Sequence, residues 1–276
     1  MSDAPIGVFD SGVGGLSVAR EIRHRLPAER IVYFADTAFC PYGGRPLDEI
    51  RERSIDVVGE LVRRGAKLVV VACNTASGAA LEALRDVFPI PIVGLEPAVK
   101  PATERSRNRR VGVLATEATL RTERFHRLVR TYGVEADVLP KACPELVDLV
   151  EAGETEGKDV EQYLAQTLAP LIHAGVDTVV LGCTHYPFLR GAIGRVMGPE
   201  VEILDSGEAV ARQVERVLRD SGSQRADGDG DIVLLTTGEP SSVGEIARRL
   251  WGAPLPVQSV GQLRSEGAVP SGERTR

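Results

Sequence analysis

The sequence predicts an α/β protein of two pseudo-symmetric halves, each a mostly parallel sheet flanked by helices. Three observations predict it. Short apolar, β-branched runs alternate with longer amphipathic stretches, as expected of parallel strands buried on both faces. The alternation begins at Ile6 and restarts at Val111. The 276 residues, 43% hydrophobic and 26% charged, have an ordinary globular composition, which excludes wholesale disorder, a collagen-like fibre and a coiled coil, and their number suggests roughly two domains.

Taken in order, the strand IGVFD (6–10) leads to a helix over 15–26, and IVYFAD (31–36) to a helix over 47–64. LVVVAC (68–73) leads to a helix over 76–87, and PIVG (91–94) to one over 96–106. The second pass runs VGVLA (111–115), VEADVL (134–139), a helix over 158–174, TVVLGC (178–183), a helix over 187–197 and VEILD (201–205). A helix over 207–219 then precedes the strand DIVLLTT (231–237), which needs a sheet to join. The expected division is therefore 1–96 plus 207–276 for one domain and 97–206 for the other. The Gly/Ser/Asp loop 221–230 and the polar, aperiodic tail from Ser265 to Arg276 are expected to be mobile.

The restart carries a repeat. Ile6–Ser11 aligns with Val111–Thr116 at an offset of 105, and Val69–Thr75 aligns with Val179–His185 at an offset of 110. In the second pair an apolar strand ends in a small residue, a cysteine and hydroxyl or amide side chains.

A net charge of −6 gives no footprint for sequence-independent nucleic-acid or anionic-membrane binding. No stretch approaches a membrane span, and the opening MSDAPIGVFD has neither the basic region nor the apolar run of a signal peptide, so a cytoplasmic location is expected. The four cysteines, Cys40, Cys73, Cys143 and Cys183, lie 33, 70 and 40 residues apart without a CxxC pair. Neither a disulfide framework nor a metal site is favoured.

Ligands of open α/β sheets bind beyond the carboxyl ends of the strands. Four such ends are chemically rich: Asp10-Ser11-Gly12-Val13-Gly14-Gly15; Ala35-Asp36-Thr37 running on to Pro41-Tyr42-Gly43; Cys73-Asn74-Thr75; and Cys183-Thr184-His185. The first matches a dinucleotide fingerprint only in part, because Ser17 holds the third glycine position. Its glycines instead offer close backbone approach to a small ligand, with helix-start N–H groups free for an anion. Asp10 reads either as a helix cap or as a group serving the chemistry.

Cys73 and Cys183 each stand where a buried strand meets a helix start, and a helix N-terminus or an imidazolium lowers a thiol's pKa. Cys40 and Cys143 lack that context and read as packing residues. Two thiols from duplicated halves suit a symmetric reaction in which one thiolate takes a proton from a carbon and the opposite thiol returns one, as in racemisation. None of Lys67, Lys100, Lys141 and Lys158 sits in a strand-end motif suited to pyridoxal phosphate, so a cofactor-free mechanism is expected. His185 is placed to polarise Cys183, whereas His24, His126 and His173 read as surface or packing residues. Glu151 taken alone reads as a solvated helix-end carboxylate. An aspartyl-nucleophile phosphatase would need aspartate where Gly12 stands.

The segments IGVFDSGVGGLSV (6–18), YFADTAFCPYGGRP (33–46), VVACNTASGAAL (70–81), VGLEPAVKPA (93–102), VGVLAT (111–116), CPELVDLVEAG (143–153) and LGCTHYPFL (181–189) together resemble the cofactor-independent glutamate racemases of bacterial cell-wall synthesis. The resemblance implies two α/β domains with the active site between them, and L- to D-glutamate racemisation without cofactor or metal, supplying peptidoglycan. It implies Cys73 and Cys183 as acid/base thiols, supported by Asp10, Glu151 and His185. It further implies a substrate held by Asp10, Ser11, Tyr42, Gly43, Asn74, Thr75, Thr184 and His185. Arg45-Pro46 departs from the Lys-Ser or Arg-Ser common at that place. A homodimer and a secondary contact with DNA gyrase stand as partner expectations, and a racemase for aspartate or a hydantoin is the nearest rival.

Overall fold

The computed structural model describes residues 2–261 and 263. The first half runs β1 (Ile6–Asp10), α1 (Leu16–Arg25), β2 (Ile31–Ala35), α2 (Leu47–Arg63), β3 (Leu68–Val71), α3 (Asn74–Val87) and β4 (Ile92–Gly94). The second runs α4 (Val99–Arg105), β5 (Arg110–Ala115), α5 (Glu117–Arg121), α6 (Glu123–Tyr132), β6 (Asp137–Ala142), α7 (Glu145–Glu151), α8 (Lys158–His173), β7 (Thr178–Leu181), α9 (Arg190–Met197) and β8 (Glu202–Leu204). The chain closes with α10 (Gly207–Asp220), β9 (Ile232–Thr236), α11 (Pro240–Trp251) and β10 (Val257–Ser259).

Among the described residues, all strands pair in parallel, in two sheets ordered β10-β9-β2-β1-β3-β4 and β6-β5-β7-β8. The returning strands β9 and β10 extend the first sheet beyond β2. Its remaining order, β2-β1-β3-β4, is repeated by β6-β5-β7-β8, and the register repeats too. Ile6 faces Leu68 across β1 and β3, while Val111 faces Thr178 across β5 and β7. These partners are related by the same offsets of 105 and 110 seen in the sequence.

Alternating side chains explain the apolar runs. In the first sheet Val8, Tyr33 and Val70 point toward α1 and α10, meeting Leu16, Ile22, Val210 and Val214. Phe9, Phe34 and Val71 point the other way, onto Ile50, Val57 and Leu61 of α2 and Ala80 and Leu84 of α3. β1, β3 and β7 are buried at every position. Each fully buried valine, leucine or isoleucine contributes about 1.5–3 kcal/mol relative to exposure. The first core continues across the joint to Leu114, Leu146, Val150, Cys183 and Tyr186, so the halves are packed against each other.

The structure adds α5, α6, α11 and β10 to the expected elements, and α7 is the helix that the helix-end reading of Glu151 implies. Helix α6 packs one apolar face, Phe125, Leu128, Val129 and Tyr132, against the second sheet, and α5 and α6 are capped by Thr116 and Thr122, which accept hydrogen bonds from Thr119 N and Phe125 N. Helix α3 starts at Asn74 rather than 76, and 187–197 divides into a 3₁₀ turn, Tyr186–Leu189, followed by α9. The loop 221–230 has no helix or strand but is fastened at Arg225, whose N–H donates to Glu29 Oε1 at 2.8 Å and whose guanidinium pairs with Asp3 at 3.1 Å. The tail expected to be mobile, from Ser265, lies outside the described residues. Among the described residues no helix is long and apolar enough to cross a membrane.

Candidate active site

Cys73 and Cys183 leave their sheets in the same way. The preceding residues, Ala72 and Gly182, each donate a 2.7 Å hydrogen bond to the strand at the centre of the sheet, to Phe9 O and Leu114 O respectively. Each cysteine then turns toward the joint between the halves, 5% and 7% exposed. Cys73 caps α3, its sulfur accepting from Ala76 N at 3.5 Å. Cys183 lies 3.7 Å from His185 Nδ1.

The two thiols have different neighbours. Behind Cys183, His185 Nε2 lies 2.6 Å from Glu151 Oε1, which also accepts from Val13 N at 2.8 Å. Burial by itself pulls the His185 pKa down, but its hydrogen bonds to Cys183 and Glu151, and their charges, hold it well above the ordinary histidine range. Burial pushes the Glu151 carboxyl up, and His185 together with Val13 N–H brings it below its usual value. The arrangement is a histidine ring held between a carboxylate and a sulfur, with its protonated form favoured. Glu151 is therefore not the solvated helix-end carboxylate of the isolated reading.

Beside Cys73 lies Asp10, fully buried. Its Oδ1 accepts from Ser11 N at 2.7 Å, its Oδ2 from Gly15 N and from Thr184 Oγ1, the last at 3.3 Å. Burial raises the Asp10 carboxyl, with His185 lowering it and Glu151 raising it. Burial, and then the Asp10 charge, pushes the Cys73 thiol well above the usual range. A helix start was expected to lower this thiol; the bond from Ala76 N does lower it, but desolvation outweighs that effect.

The glycine turn also differs from expectation. Its N–H groups at Val13 and Gly15 bind Glu151 and Asp10 rather than standing free for an anion. The glycines are needed because the other half packs onto them: a methyl group at Gly12 would overlap the Glu151 carboxylate, and one at Gly14 the His185 ring.

The other sequence candidates converge here to different degrees. Ser11 Oγ lies 3.3 Å from Asp10 Oδ1, and Ser17 Oγ donates to Thr184 O at 2.8 Å. Asn74 is buried, and its Oδ1 has no hydrogen-bond partner among the described residues. Tyr42 is buried, but its hydroxyl donates to Asp36 Oδ2 at 2.7 Å, beside the Arg53 guanidinium. Gly43 packs on Thr116, where a methyl would be crowded. Arg45 crosses the Phe39 ring at 3.7 Å and pairs with Glu49, which folds the unusual Arg45-Pro46 loop back on itself.

Two hydroxyls went unnoticed in the sequence. Thr75 Oγ1 lies 2.9 Å from Thr116 Oγ1 and 3.1 Å from Thr119 Oγ1, a cluster spanning the halves. Thr116 occupies the place of Ser11 in the repeat, and that signal could have found it. Cys40, read as a packing residue, is half-buried beside Glu151. Cys143 does pack, buried, its Sγ 3.6 Å from Lys141 O. His24, His126 and His173 are exposed. Lys67 pairs with Glu29 at 2.7 Å, at the opposite end of β3 from Cys73.

The cavity beside Cys183, lined by Ser17, Asn74, Thr184 and Ser206, measures about 10 Å³, no more than a single water fills. A far larger one, about 960 Å³, lies along the two crossings between halves, near Glu96, Pro97, Asp205 and Ser206. Of the two thiols, Cys183 lines the small cavity and Cys73 does not. The larger holds no thiol and has no paired acid and base of that kind.

Known proteins resemble this chain over nearly its whole length. A glutamate racemase from Herpetosiphon aurantiacus is 49% identical over 251 residues, covering 91% of this chain and 99% of that protein. The crystal structure of a glutamate racemase isoform from Bacillus anthracis superposes with a TM-score of 0.87 at 35% identity, covering 94% of this chain and 98% of the other. That of Escherichia coli glutamate racemase in complex with L-glutamate and an activator does so at 0.84 and 33% identity, with 94% and 98% covered. Residues 6–214, which carry both thiols, Asp10, Glu151 and His185, match the model of the Asp/Glu/hydantoin racemases, and the chain belongs to that family.

Proposed function

We propose that this protein interconverts L- and D-glutamate, without pyridoxal phosphate, metal or nucleotide, by two-base proton transfer at Cα between Cys73 and Cys183, and so supplies D-glutamate for peptidoglycan. The carrying observation is the pair of buried cysteines at repeat-equivalent strand ends, each beside a different acid–base partner.

In one direction the Cys183 thiolate, stabilised by the His185 imidazolium, removes the Cα proton while the Cys73 thiol delivers one to the opposite face. In the other, Cys73 gives its proton to Asp10, whose raised pKa suits that exchange, and becomes the base. Asn74 Oδ1, a buried acceptor lacking a partner among the described residues, is matched to the substrate ammonium. Ser11, Thr75, Thr184 and the backbone at Tyr42 and Gly43 hold the carboxylates. Fixing the substrate leaves the Cα hydrogen as its mobile element, so orientation supplies much of the rate.

A cavity of about 10 Å³ cannot admit glutamate. Entry requires residues 1–96 plus 207–276 to separate from 97–206 about the two crossings, and closure then excludes water. The reading extends to action in the cytoplasm, to a homodimer and to a secondary contact with DNA gyrase. A Cys73→Ala/Cys183→Ala double variant would retain any gyrase effect while losing turnover.

The test is incubation with L- or D-glutamate in deuterated water without added cofactor, following optical rotation and Cα exchange, with aspartate and a hydantoin in parallel. Racemisation of glutamate that persists after dialysis against a chelator is expected. Loss on chelation with recovery on adding metal, or turnover of aspartate or the hydantoin alone, would overturn the reading.

A further inference from the structure

The cysteine spacing carries no metal signal in the sequence, yet the fold gathers three unlike donors that do. Cys40 Sγ, a Glu151 carboxylate oxygen and a His185 ring nitrogen all lie within 4.8 Å of one another. Cys40 comes from the loop after β2 in the first half, whereas Glu151 ends α7 and His185 follows β7 in the second. Thiolate, imidazole and carboxylate are the three donor types that zinc accepts, and three protein ligands with one open position is a common zinc arrangement.

We propose that Cys40, Glu151 and His185 form an inhibitory site for a thiophilic divalent cation of the Zn²⁺ type. Donors around tetrahedral zinc lie roughly 3.3–3.8 Å apart, so side-chain movements of about 1 Å close the site. The ion takes the position of the proton between His185 Nε2 and Glu151 Oε1, now separated by 2.6 Å. Cys40 loses its proton to solvent on binding. Burial and the nearby Glu151 and Asp10 charges oppose ionisation of that thiol without metal, and a dipositive ion reverses the balance. The remaining His185 nitrogen, Nδ1, still faces Cys183 at 3.7 Å.

Two consequences follow. An imidazole bound to metal through Nε2 can carry a proton only on Nδ1, so it no longer becomes the imidazolium that supports a Cys183 thiolate. The ion also bridges the halves, holding Cys40 of one to Glu151 and His185 of the other, and opposes opening. Both consequences, but not the binding, rest on the two-thiol reading. The site couples turnover to free zinc through a residue outside the proton-transfer pair.

The binding test is independent of turnover. In a Cys73→Ser/Cys183→Ser background, added Co²⁺ should give the near-ultraviolet sulfur-to-cobalt charge-transfer band, and further Cys40→Ser or His185→Asn should abolish it. Either variant suffices if the other does not fold. Absence of the band in the double-serine background, or its persistence after Cys40→Ser, overturns the site. For inhibition, each enzyme is compared with itself with and without Zn²⁺. Cys40→Ser should raise the half-inhibiting concentration by at least about tenfold, since loss of even an outer-sphere partner costs 10–100-fold in affinity. Equal sensitivity of Cys40→Ser and the parent overturns the inhibitory role.

Discussion

Cys73 and Cys183 are chemically alike and electrostatically different, and that difference makes their roles separable. A serine at either place can still donate a proton but is far too weakly acidic to supply the abstracting anion. With glutamate analogues that lose a leaving group after Cα deprotonation, reprotonation is bypassed. Cys73→Ser should therefore eliminate with one enantiomer and Cys183→Ser with the other, while neither racemises. The same preference in both variants would show that one thiol is structural. Around Cys183 the sign of the pH dependence follows from the pair behind it. His185 is raised in the folded protein, so its contribution is complete below the unfolded value near 6.5 and is lost as pH rises through the higher folded value. Glu151 is lowered, so its own contribution is present above its unfolded value and is lost as pH falls through the folded one. Removing the carboxylate charge by Glu151→Gln should thus cost about 1.5–3 kcal/mol on the plateau between. Melting curves of parent and variant from about pH 5 to pH 9 should converge toward the alkaline end, and a gap that widens there would contradict the assignment.

At the scale of elements, strand-to-helix turns were legible and the packing between halves was not. The apolar runs at β1, β3 and β7 stand out because helices cover both faces, and the cysteine motifs fall at matching ends of β3 and β7. Helix α5 is too short, at five residues, to show a period, and in α6 the stripe of Phe125, Leu128, Val129 and Tyr132 is interrupted by charged residues and only half-buried. Of the site, the thiols, Asp10 and His185 could be found from strand-end position alone. Glu151 could not, because its meaning depends on α7 bringing it across 34 residues to His185 and across the joint to Val13. The first turn shows the same limit. Gly12 and Gly14 resemble a ligand-binding loop in sequence, but the space they leave is filled by Glu151 and His185. Gly14→Ala should displace the His185 ring and reduce kcat by about a hundredfold, the scale expected of a misplacement near 1 Å. A Gly14→Ala enzyme of parental kcat would show that His185 need not hold this position.

At the scale of the whole molecule, the closed joint makes opening part of the proposed catalytic cycle. The buried thiols suit the chemical step, since exclusion of water strengthens the electrostatic interactions around them, but the same burial bars the substrate. The joint is sealed on one side by α3 against the turn between α5 and α6. A Cβ built at Gly78 lies 3.2 Å from Thr122 Cβ, so a slight outward adjustment reaches the roughly 3.5–4.5 Å spanned by a disulfide. Gly78 belongs to the first half, Thr122 to the second, and neither belongs to the proposed proton-transfer or substrate-holding set. The variant Gly78→Cys/Thr122→Cys should turn over when reduced, with about 1 kcal/mol of stability lost from the missing Thr122 cap. Oxidation should then fasten α3 to α6 and stop turnover, and dithiothreitol should restore it. The single variants under the same oxidant separate this effect from damage to Cys73 or Cys183, because they retain both thiols without the cross-link. Full turnover by the oxidised double variant, with the cross-link verified by mass, would mean that glutamate reaches the thiols without separation of the halves at this face.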